Sequence, residues 1–264
     1  MGLCKKILTI SFKEKTVFRF DYVLSTVFSF LYIILKVFLW KGLYGEGGEN
    51  VNGIFLNDMI VYSILASFTE GITKTDVMTE LNSHVLDGSI SMNLLLPIGF
   101  KKYLFLNSLT RNLFQTVYKI VPSVLVAMLI FGLNTEFHLS SVLFYIVSVF
   151  LGILISFLYH FLFGLSVIWF RNSFFLDNIN YVLVNIFSGA AVPIWFFPEG
   201  LGSVSFFLPF RYIVFEPITI LLNKKSPEEI FLVLGIQALW VFLLFLGCTA
   251  VWSKGRRKLM IQGG

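Results

Sequence analysis

The chain has 264 residues, of which 57% are hydrophobic and 13% charged, with a formal net charge of +5. Soluble domains carry about 25% charged residues, and the 31 Phe residues of this chain are too many to hide in one water-soluble core. The composition excludes an ordinary soluble domain and predicts a polytopic membrane protein. The positive charge does not indicate nucleic-acid binding, because Lys and Arg flank the apolar segments instead of forming one stripe.

The N-terminal residues 1–21 combine apolar side chains at roughly helical spacing with lysines between them. This pattern predicts an amphipathic helix that lies in the membrane interface and leads into the first span. Five Lys or Arg residues precede the first long apolar run without a small-residue cleavage site, so the segment is not interpreted as a signal peptide. The two cysteines, Cys4 and Cys248, fall in this basic segment and in the last apolar run, and they predict no disulfide framework.

Six apolar segments are candidates for membrane-spanning helices, which need about 20 mostly apolar residues. They cover residues 22–40, 54–68, 113–133, 142–170, 179–193 and 230–252. The second is short and carries Asp58, whereas the fourth is long enough to require a tilt or a kink. We therefore expect six transmembrane helices in an all-α fold.

The distribution of Lys and Arg predicts the orientation. With the N-terminus in the cytoplasm, fourteen basic residues lie inside: Lys5, Lys6, Lys13, Lys15, Arg19, Lys74, Lys101, Lys102, Arg111, Arg171, Lys254, Arg256, Arg257 and Lys258. Four lie outside: Lys41, Arg211, Lys224 and Lys225. This positive-inside bias places both termini in the cytoplasm. Lys36 and Lys119 fall inside spans near their ends, where we expect them to extend toward the interface.

An outer re-entrant region is predicted over residues 189–222. Residues 206–222 are apolar but contain two prolines, an Arg and a Glu, and a crossing there would put the basic tail outside. They are therefore interpreted as an interfacial or re-entrant helical segment between spans 5 and 6. Pro193 ends the fifth span, and the residues that follow form a candidate outer gate: Trp195, Phe196, Phe197 and Pro198.

The cytoplasmic loop over residues 69–112 is too long for a bare connector. It contains an amphipathic pattern from residue 76, with Val77, Leu81 and Val85 on one face. The opposite face carries the candidate coupling residues, of which Gly88 ends the helix: Asp76, Glu80, His84, Asp87 and Gly88. From composition alone, a solvated interfacial helix and a docking element for a cytosolic partner are equally favoured.

The chain has no phosphate-binding GxxxxGK[ST] motif and no metal-binding motif, so we expect neither ATP hydrolysis nor a metal site on this chain. His160 lies deep in the fourth span, where a packing role is favoured over a proton relay. The fifth span is the most polar, and its Asn178, Asn180 and Asn185, with Ser188, are candidates to line a path or the bundle interior. For Ser188, a helix contact is favoured over a hydrolase nucleophile.

Three stretches resemble the ABC-2 type transporter permeases, in the subfamily of six-span permeases that work with a separately encoded ATPase. They are "LDGSISMNLLLPIGF" (86–100), "FSGAAVPIWFFPEGLGSVSFFLPFRYIVFEPITILL" (187–222) and "GRRKLMIQGG" (255–264). The middle stretch is the most specific of the three. The resemblance implies that residues 1–264 form a single ABC-2 transmembrane domain with a type V exporter-like fold.

The resemblance also implies the partners. In such transporters two permease subunits, identical or related, pair in the plasma membrane, here of a bacterium, and a dimer of cytosolic ATPases binds beneath them. The ATPases hold ATP and Mg²⁺, and their closure moves coupling helices, which residues 76–95 match by position. Export of an amphipathic or hydrophobic substrate, such as a drug, lipid or peptide, is the implied function.

Three other functions stay open at this stage. A secondary transporter should show paired intramembrane charges or an inverted repeat, and the sequence shows neither. A polytopic membrane enzyme would need Ser188 and His160 to converge from different spans. A non-transporting immunity or scaffold protein has the same hydropathy as a permease.

Overall fold

The computed structural model describes residues 19–45, 50–51, 53–90, 99–132, 137–170 and 174–262. Within this part of the chain a short antiparallel hairpin pairs β1 (Asn50–Val51) with β2 (Ile54–Phe55). The helices are α1 (Arg19–Tyr44), α2 (Leu56–Thr73), α3 (Val77–Leu86), α4 (Phe100–Phe131), α5 (Leu139–Gly164), α6 (Val167–Phe170), α7 (Phe174–Phe187), α8 (Glu199–Phe206), α9 (Phe215–Leu221) and α10 (Pro227–Gln262). The predicted interfacial helix over 1–21 lies almost wholly outside the described residues.

Four stretches of the described residues are helical, long and apolar enough to cross a membrane. They are Val23–Tyr44, Phe100–Phe131, Leu139–Phe170 and Pro227–Arg256. The other two predicted spans fall on α2 and α7, which have 18 and 14 residues. These lengths correspond to roughly 27 and 21 Å, less than the roughly 30 Å of bilayer hydrocarbon. The protein is therefore a membrane protein whose described residues are almost entirely helical, and the count of six crossings stays a prediction.

Helix α4 begins at Phe100, well before the predicted third span at 113–133. It passes through a π-helical turn, Thr116–Ile120, directly before Pro122. Proline has no N–H to donate, and its ring collides with the preceding turn of a regular helix, so a widened turn accommodates it. The early start carries the first half of α4 alongside α3.

Helix α5 lies at the centre of the fold and packs against α10, α9 and α3. Ile155 and Phe161 of α5 are fully buried there, together with Tyr212 from the outer region. A second apolar cluster joins α1, α2 and α4 through residues such as Val37 and Ile64. Helix α2 contacts both clusters and thereby links the two halves of the bundle.

A buried amide fixes the end of this core that meets the predicted outer region, residues 189–222. Gln237 of α10 is fully buried, and its Nε2 donates to the carbonyls of Tyr212 at 2.8 Å and Ser148 at 3.1 Å. Its Oε1 accepts from the Ser148 hydroxyl at 3.0 Å. Because lipid offers no competing partners, a fully satisfied polar group of this kind holds α10, α5 and the outer region in one register.

The outer region consists of short helices. Two 3₁₀ turns, Ile194–Phe196 and Phe210–Tyr212, alternate with α8 and α9. Helix α9 has seven residues, roughly 10 Å, and is too short to cross a membrane by itself. Its buried Glu216 is paired with Arg211 at 2.6 Å and Lys225 at 3.0 Å, which compensates the burial of the carboxylate.

Candidate functional site

Helix α3 is packed onto the bundle along one face. Val77, Met78 and Leu81 are buried there, and the helix contacts α5, α4 and α6. The sequence pattern placed Val77, Leu81 and Val85 on this face, and Val85 packs against the same core as a half-buried residue. The helix is thus held rigidly beside the ends of two long helices.

Two of the predicted coupling residues are paired with α4, Glu80 in a covered position and Asp76 with a side chain that is 45% exposed. The Glu80 carboxylate accepts from Arg111 Nη2 and from Asn107 Nδ2, both at 2.6 Å. The Asp76 carboxylate lies 3.5 Å from Arg111 Nη1. Since the Glu80 side chain is only 12% exposed, this pairing fastens α3 to α4 and leaves little of Glu80 to meet a partner.

The C-terminal end of α3 is stabilised by its own turn. His84 Nδ1 is bonded to the Ser89 hydroxyl at 2.8 Å, and its ring packs on Phe100. Asp87 is exposed, and the hydroxyl and backbone N–H of Ser89 hold the pKa of its carboxyl below the usual value. Gly88, also exposed, follows with φ of +75°.

The solvent-facing side of α3 forms a narrow surface, which we call the docking edge. It consists of Thr79, Ser83, Leu86 and Asp87, all exposed. Leu86 is 61% exposed. Among the predicted coupling residues, Asp87 lies on this edge with Gly88 directly beside it, whereas Asp76, Glu80 and His84 are bound within the chain.

Helix α7 ends in an irregular segment, residues 188–192, which we call the α7 break. Its first three carbonyls accept hydrogen bonds from three different elements. Phe215 N–H donates to Ser188 at 3.0 Å, the Tyr62 hydroxyl to Gly189 at 2.8 Å, and Lys36 Nζ to Ala190 at 2.9 Å. Non-helical backbone at membrane depth requires such partners. These hydrogen bonds therefore stabilise the α7 break as part of the fold.

Gly189 is required by the geometry of the break. Its φ is +78°, a conformation that residues with a side chain rarely adopt. A Cβ at this position would lie 2.9 Å from Phe215 Cβ and 3.0 Å from the Tyr62 hydroxyl oxygen. Both the backbone conformation and the close approach of α2 and α9 therefore favour glycine.

Lys36 corrects one expectation from the sequence. We expected its side chain to extend toward the interface, but the residue is buried, with 9% exposure. Its Nζ donates to the Ala190 carbonyl, lies 3.8 Å from the Glu70 carboxylate and faces the Tyr32 ring at 4.3 Å. The Lys36–Glu70 pair joins α1 to α2 within the bundle.

The aromatic residues of the candidate outer gate pack inside the chain. Trp195 lies between the rings of Tyr62 and Phe215, at 5.3 and 5.2 Å. Phe196 packs on Trp40 at 5.0 Å. Phe197 contacts Phe187 at 6.2 Å, while Pro193 is buried and Pro198 exposed. Trp195, Phe196 and Phe197 are all half-buried and thus pin the α7 break to α1, α2 and α9.

A cavity of about 210 Å³ lies between α2, α3, α5 and α7. The α7 break and residues 213–214 also line it. Among its polar lining residues are Glu70, Thr73, Lys74, Thr75, Asp76, Thr79, Ser156, His160, Asp177, Asn180, Tyr181, Asn185 and Ser188. Thr79 belongs to both the cavity and the docking edge, so the cavity begins beside the surface of α3.

Helix α7 turns one face toward this cavity. The lining positions are residues 177, 180, 181, 184, 185 and 188, which follow the i, i+3, i+4, i+7, i+8, i+11 spacing of a helical face. Asn180, Asn185 and Ser188 of the predicted path lie on it, whereas Asn178 is exposed and does not. The sequence analysis did not include Asp177 and Tyr181 among the candidate path-lining residues, although the helical spacing from Asn180 and Asn185 would have identified both.

His160 and Ser188 line the same cavity, as a membrane enzyme would require. His160 Nδ1 is 2.7 Å from the Ser156 carbonyl, one turn back in α5. The Ser188 hydroxyl accepts from the Ala190 N–H at 3.3 Å. A nucleophile and its base need a direct hydrogen bond, whereas His160 Nδ1 contacts the carbonyl and the hydroxyl of Ser156, and Ser188 bonds the backbone of Ala190. Their arrangement therefore fits packing and cavity-lining roles.

The fold and the site define the class of protein first: a helical membrane protein with a rigidly held amphipathic helix and a broken helix beside a cavity that polar and apolar side chains line together. The family model described as ABC-2 family transporter protein matches residues 30–263. The chain therefore belongs to the ABC-2 family of transporter proteins, which confirms the resemblance inferred from the sequence. Comparisons with curated proteins and with solved structures give no match.

Proposed function

We propose that this chain is the transmembrane permease subunit of an ATP-binding cassette transporter. A separate dimer of cytosolic ATPases binds ATP and Mg²⁺ and supplies hydrolysis, while this chain is not itself an enzyme. Two permease subunits, identical or related, form the path in the plasma membrane of a bacterium, with both termini cytoplasmic. Family membership and the absence of a phosphate-binding motif in the sequence support this division of labour.

The observation that carries the proposal is the docking edge. A helix that transmits force from a soluble partner must be fixed to the membrane helices on one side and accessible on the other. Helix α3 meets both conditions, because Glu80 is bonded to Arg111 of α4 while Ser83 and Leu86 remain exposed. Leu86 is exposed beside Ser83 and Asp87, so the docking edge offers a partner both apolar and polar contacts.

The transported substrate is proposed to be amphipathic or hydrophobic, such as a drug, a lipid or a peptide, and the direction is export. A cavity that polar and apolar side chains line together supports a cargo with both kinds of surface. The pairing of the buried Lys36 with the partly exposed Glu70 is an observation that favours a secondary transporter as the second candidate. In that case transport would not depend on ATP.

The proposal is tested by placing a large charged side chain on the docking edge. Ser83→Arg should abolish co-purification of the ATPase from the native host and vanadate-sensitive transport, because the side chain blocks the contact. Ser203→Arg is the matched control, since both serines are exposed and bond a carbonyl of their own helix, Ser83 to Glu80 at 2.8 Å and Ser203 to Glu199 at 2.9 Å. Equal ATPase recovery with both variants would reject the docking edge.

A further inference from the structure

A groove of about 550 Å³, which we call the α10 groove, lies between the start of α4 and one face each of α5 and α10. The first of these contributes residues 99–102 and 105, α5 contributes 154, 157 and 158, and α10 contributes 241, 245 and 252. The positions from α5 and from α10 have the spacing of a single helical face. The volume lies in the range of about 300–1,000 Å³ that is usual for small-molecule sites.

The walls of the α10 groove are apolar and aromatic. The Phe105 ring packs against the buried Phe157 at 4.9 Å, and Phe100 stacks on Trp252 at 5.7 Å. Phe245 remains 51% exposed, so the groove is open on the side of α10. An open trough with such walls suits a hydrocarbon chain, because the chain gains contacts along its whole length.

The charged residues that line the α10 groove are two cations, Lys101 and Lys102, and no Asp or Glu is among its described lining residues. Neither lysine forms an ion pair within the part of the chain that the structure describes. Lys101 Nζ lies over the Phe245 ring at 4.2 Å and over the Phe161 ring at 5.9 Å, which holds the ammonium against the apolar wall. A ring does not neutralise the charge, and an ammonium has three N–H donors, so the lysines retain donors for an anion.

The charge and the apolar walls lie at different depths of the bilayer. Leu154 and Val241 lie near the middle of the candidate spans Leu139–Phe170 and Pro227–Arg256. Trp252 lies near the end of the second of these spans, and tryptophan is typical of the membrane interface. Both lysines lie in the first turn of α4. The α10 groove therefore presents cations at head-group level and an apolar trough at acyl-chain level.

We propose that the α10 groove binds an anionic phospholipid, with the phosphate at Lys101 and Lys102 and one acyl chain along α5 and α10. Basic pockets between membrane helices are known to hold anionic head groups. A zwitterionic lipid would bring a second ammonium beside the two lysines, and inorganic phosphate would leave the apolar walls unused. Residues 91–98, which directly precede the groove in sequence, contain no Asp or Glu and offer no counter-charge.

The bound lipid would contact the segment that supports α3. Phe100 lines the groove, and its ring also lies 6.0 Å from the His84 ring of α3. An anionic lipid would thus stabilise the place where α3, α4 and α10 meet. The inference goes beyond the proposed function, because it requires the chain to be in a membrane but does not require an ATPase.

The test uses the purified full chain in detergent and radiolabelled dioleoylphosphatidylglycerol, with protein-free micelles subtracted. Unlabelled dioleoylphosphatidylglycerol should compete at least tenfold better than inorganic phosphate or dioleoylphosphatidylcholine, which has the same acyl chains. The double variant Lys101→Gln, Lys102→Gln should bind about thirtyfold more weakly. Each lysine beside an anionic head group contributes about 1 kcal/mol, and about 1.4 kcal/mol corresponds to tenfold.

The double variant Lys254→Gln, Arg256→Gln is the matched control for charge. Both residues are exposed cations near the same end of α10, and neither lines the groove. This variant should keep the preference for phosphatidylglycerol over phosphatidylcholine. Equal losses in the two double variants would reduce the effect to general surface charge, and equal competition by phosphatidylcholine would reduce it to ordinary lipid contact. Either result would overturn the site.

The apolar part of the α10 groove is tested separately. Val241→Trp places a large ring in the middle of the trough and should abolish the preference for phosphatidylglycerol with both lysines intact. Leu243→Trp is the matched control, because Leu243 is exposed on the same helix and does not line the groove. All variants should elute as monodisperse protein. Retained binding by a monodisperse Val241→Trp variant would contradict an acyl chain in the groove.

Discussion

Replacing Gly189 by Ala tests whether the α7 break is held as the structure describes it. The φ of +78° would be imposed on a residue with a Cβ, which costs about 1–2 kcal/mol. The new Cβ would also lie 3.0 Å from the Tyr62 hydroxyl oxygen. Moving that hydroxyl endangers its 2.8 Å bond to the Gly189 carbonyl, worth about 0.5–1.5 kcal/mol.

Together these effects predict a loss of about 2–3 kcal/mol in the free energy of unfolding. For a chain of this size, 1 kcal/mol corresponds to about 2–4 °C in the unfolding midpoint, so we expect a fall of about 5–10 °C. The midpoint is measured from the monodisperse size-exclusion peak that remains after heating in one detergent. Heating times must be identical, because membrane proteins often unfold irreversibly.

Gly202→Ala provides the matched control in the same outer region. A Cβ there meets no heavy atom within 4 Å, and Gly202 lies in α8 without a positive φ. Alanine in a helix is favoured over glycine by about 0.5–1 kcal/mol, so this variant should be unchanged or slightly more stable. A Gly189→Ala midpoint within 1–2 °C of the unmodified chain, on the order of 0.5 kcal/mol, would refute the account of the break.

Two further substitutions test the neighbours of the break. Lys36→Met keeps the length of the side chain but leaves the Ala190 carbonyl without its donor, and it should destabilise the protein by about 1–3 kcal/mol in the same heating assay. The exposed Lys41→Met of α1 should cost far less, and equal losses would contradict the buried role of Lys36. If the candidate outer gate is correct, Trp195→Ala and Phe197→Ala should change transport or leak more than the amount of folded protein. A fall in folded protein alone would make both residues structural anchors.

The class of protein and the presence of its long apolar helices could be predicted from the sequence, because both depend on local properties. Apolar content predicts membrane insertion, and the pattern of Val77 and Leu81 predicted the buried face of α3. Helical periodicity would also have separated Asn180 from the exposed Asn178, although a simple count of polar residues did not. The direction of a side chain could therefore be predicted wherever the periodicity of a single helix determines it.

Contacts between distant segments could not be predicted in this way. Lys36 and Ala190 are 154 residues apart, and their bond depends on how α1 packs against the end of α7. Arg111 and Glu80 meet because α4 begins earlier than its apolar span. In both cases polar side chains that were expected at an interface form hydrogen bonds between helices. Which charged groups find a partner depends on how the helices pack, and the sequence pattern of one helix does not contain this information.

The α3–α4 pairing also changes how the candidate coupling residues are interpreted. Opposite-face spacing put Asp76, Glu80, His84 and Asp87 together as possible contacts. The structure divides them into residues that hold α3 in place and residues beside its exposed edge. Mutating Glu80 would thus disturb the position of α3, whereas changes at Ser83 act on the docking edge itself.

The proposal that this chain is an ATP-driven permease is tested most directly by purifying the tagged chain from its native host in mild detergent. The account predicts a stoichiometric ATPase with a phosphate-binding motif in the eluate, and transport that vanadate inhibits. The ATPase should disappear with Ser83→Arg and remain with Ser203→Arg. An eluate without any ATPase, combined with transport that vanadate does not affect, would contradict the proposal that this chain is an ATP-driven permease.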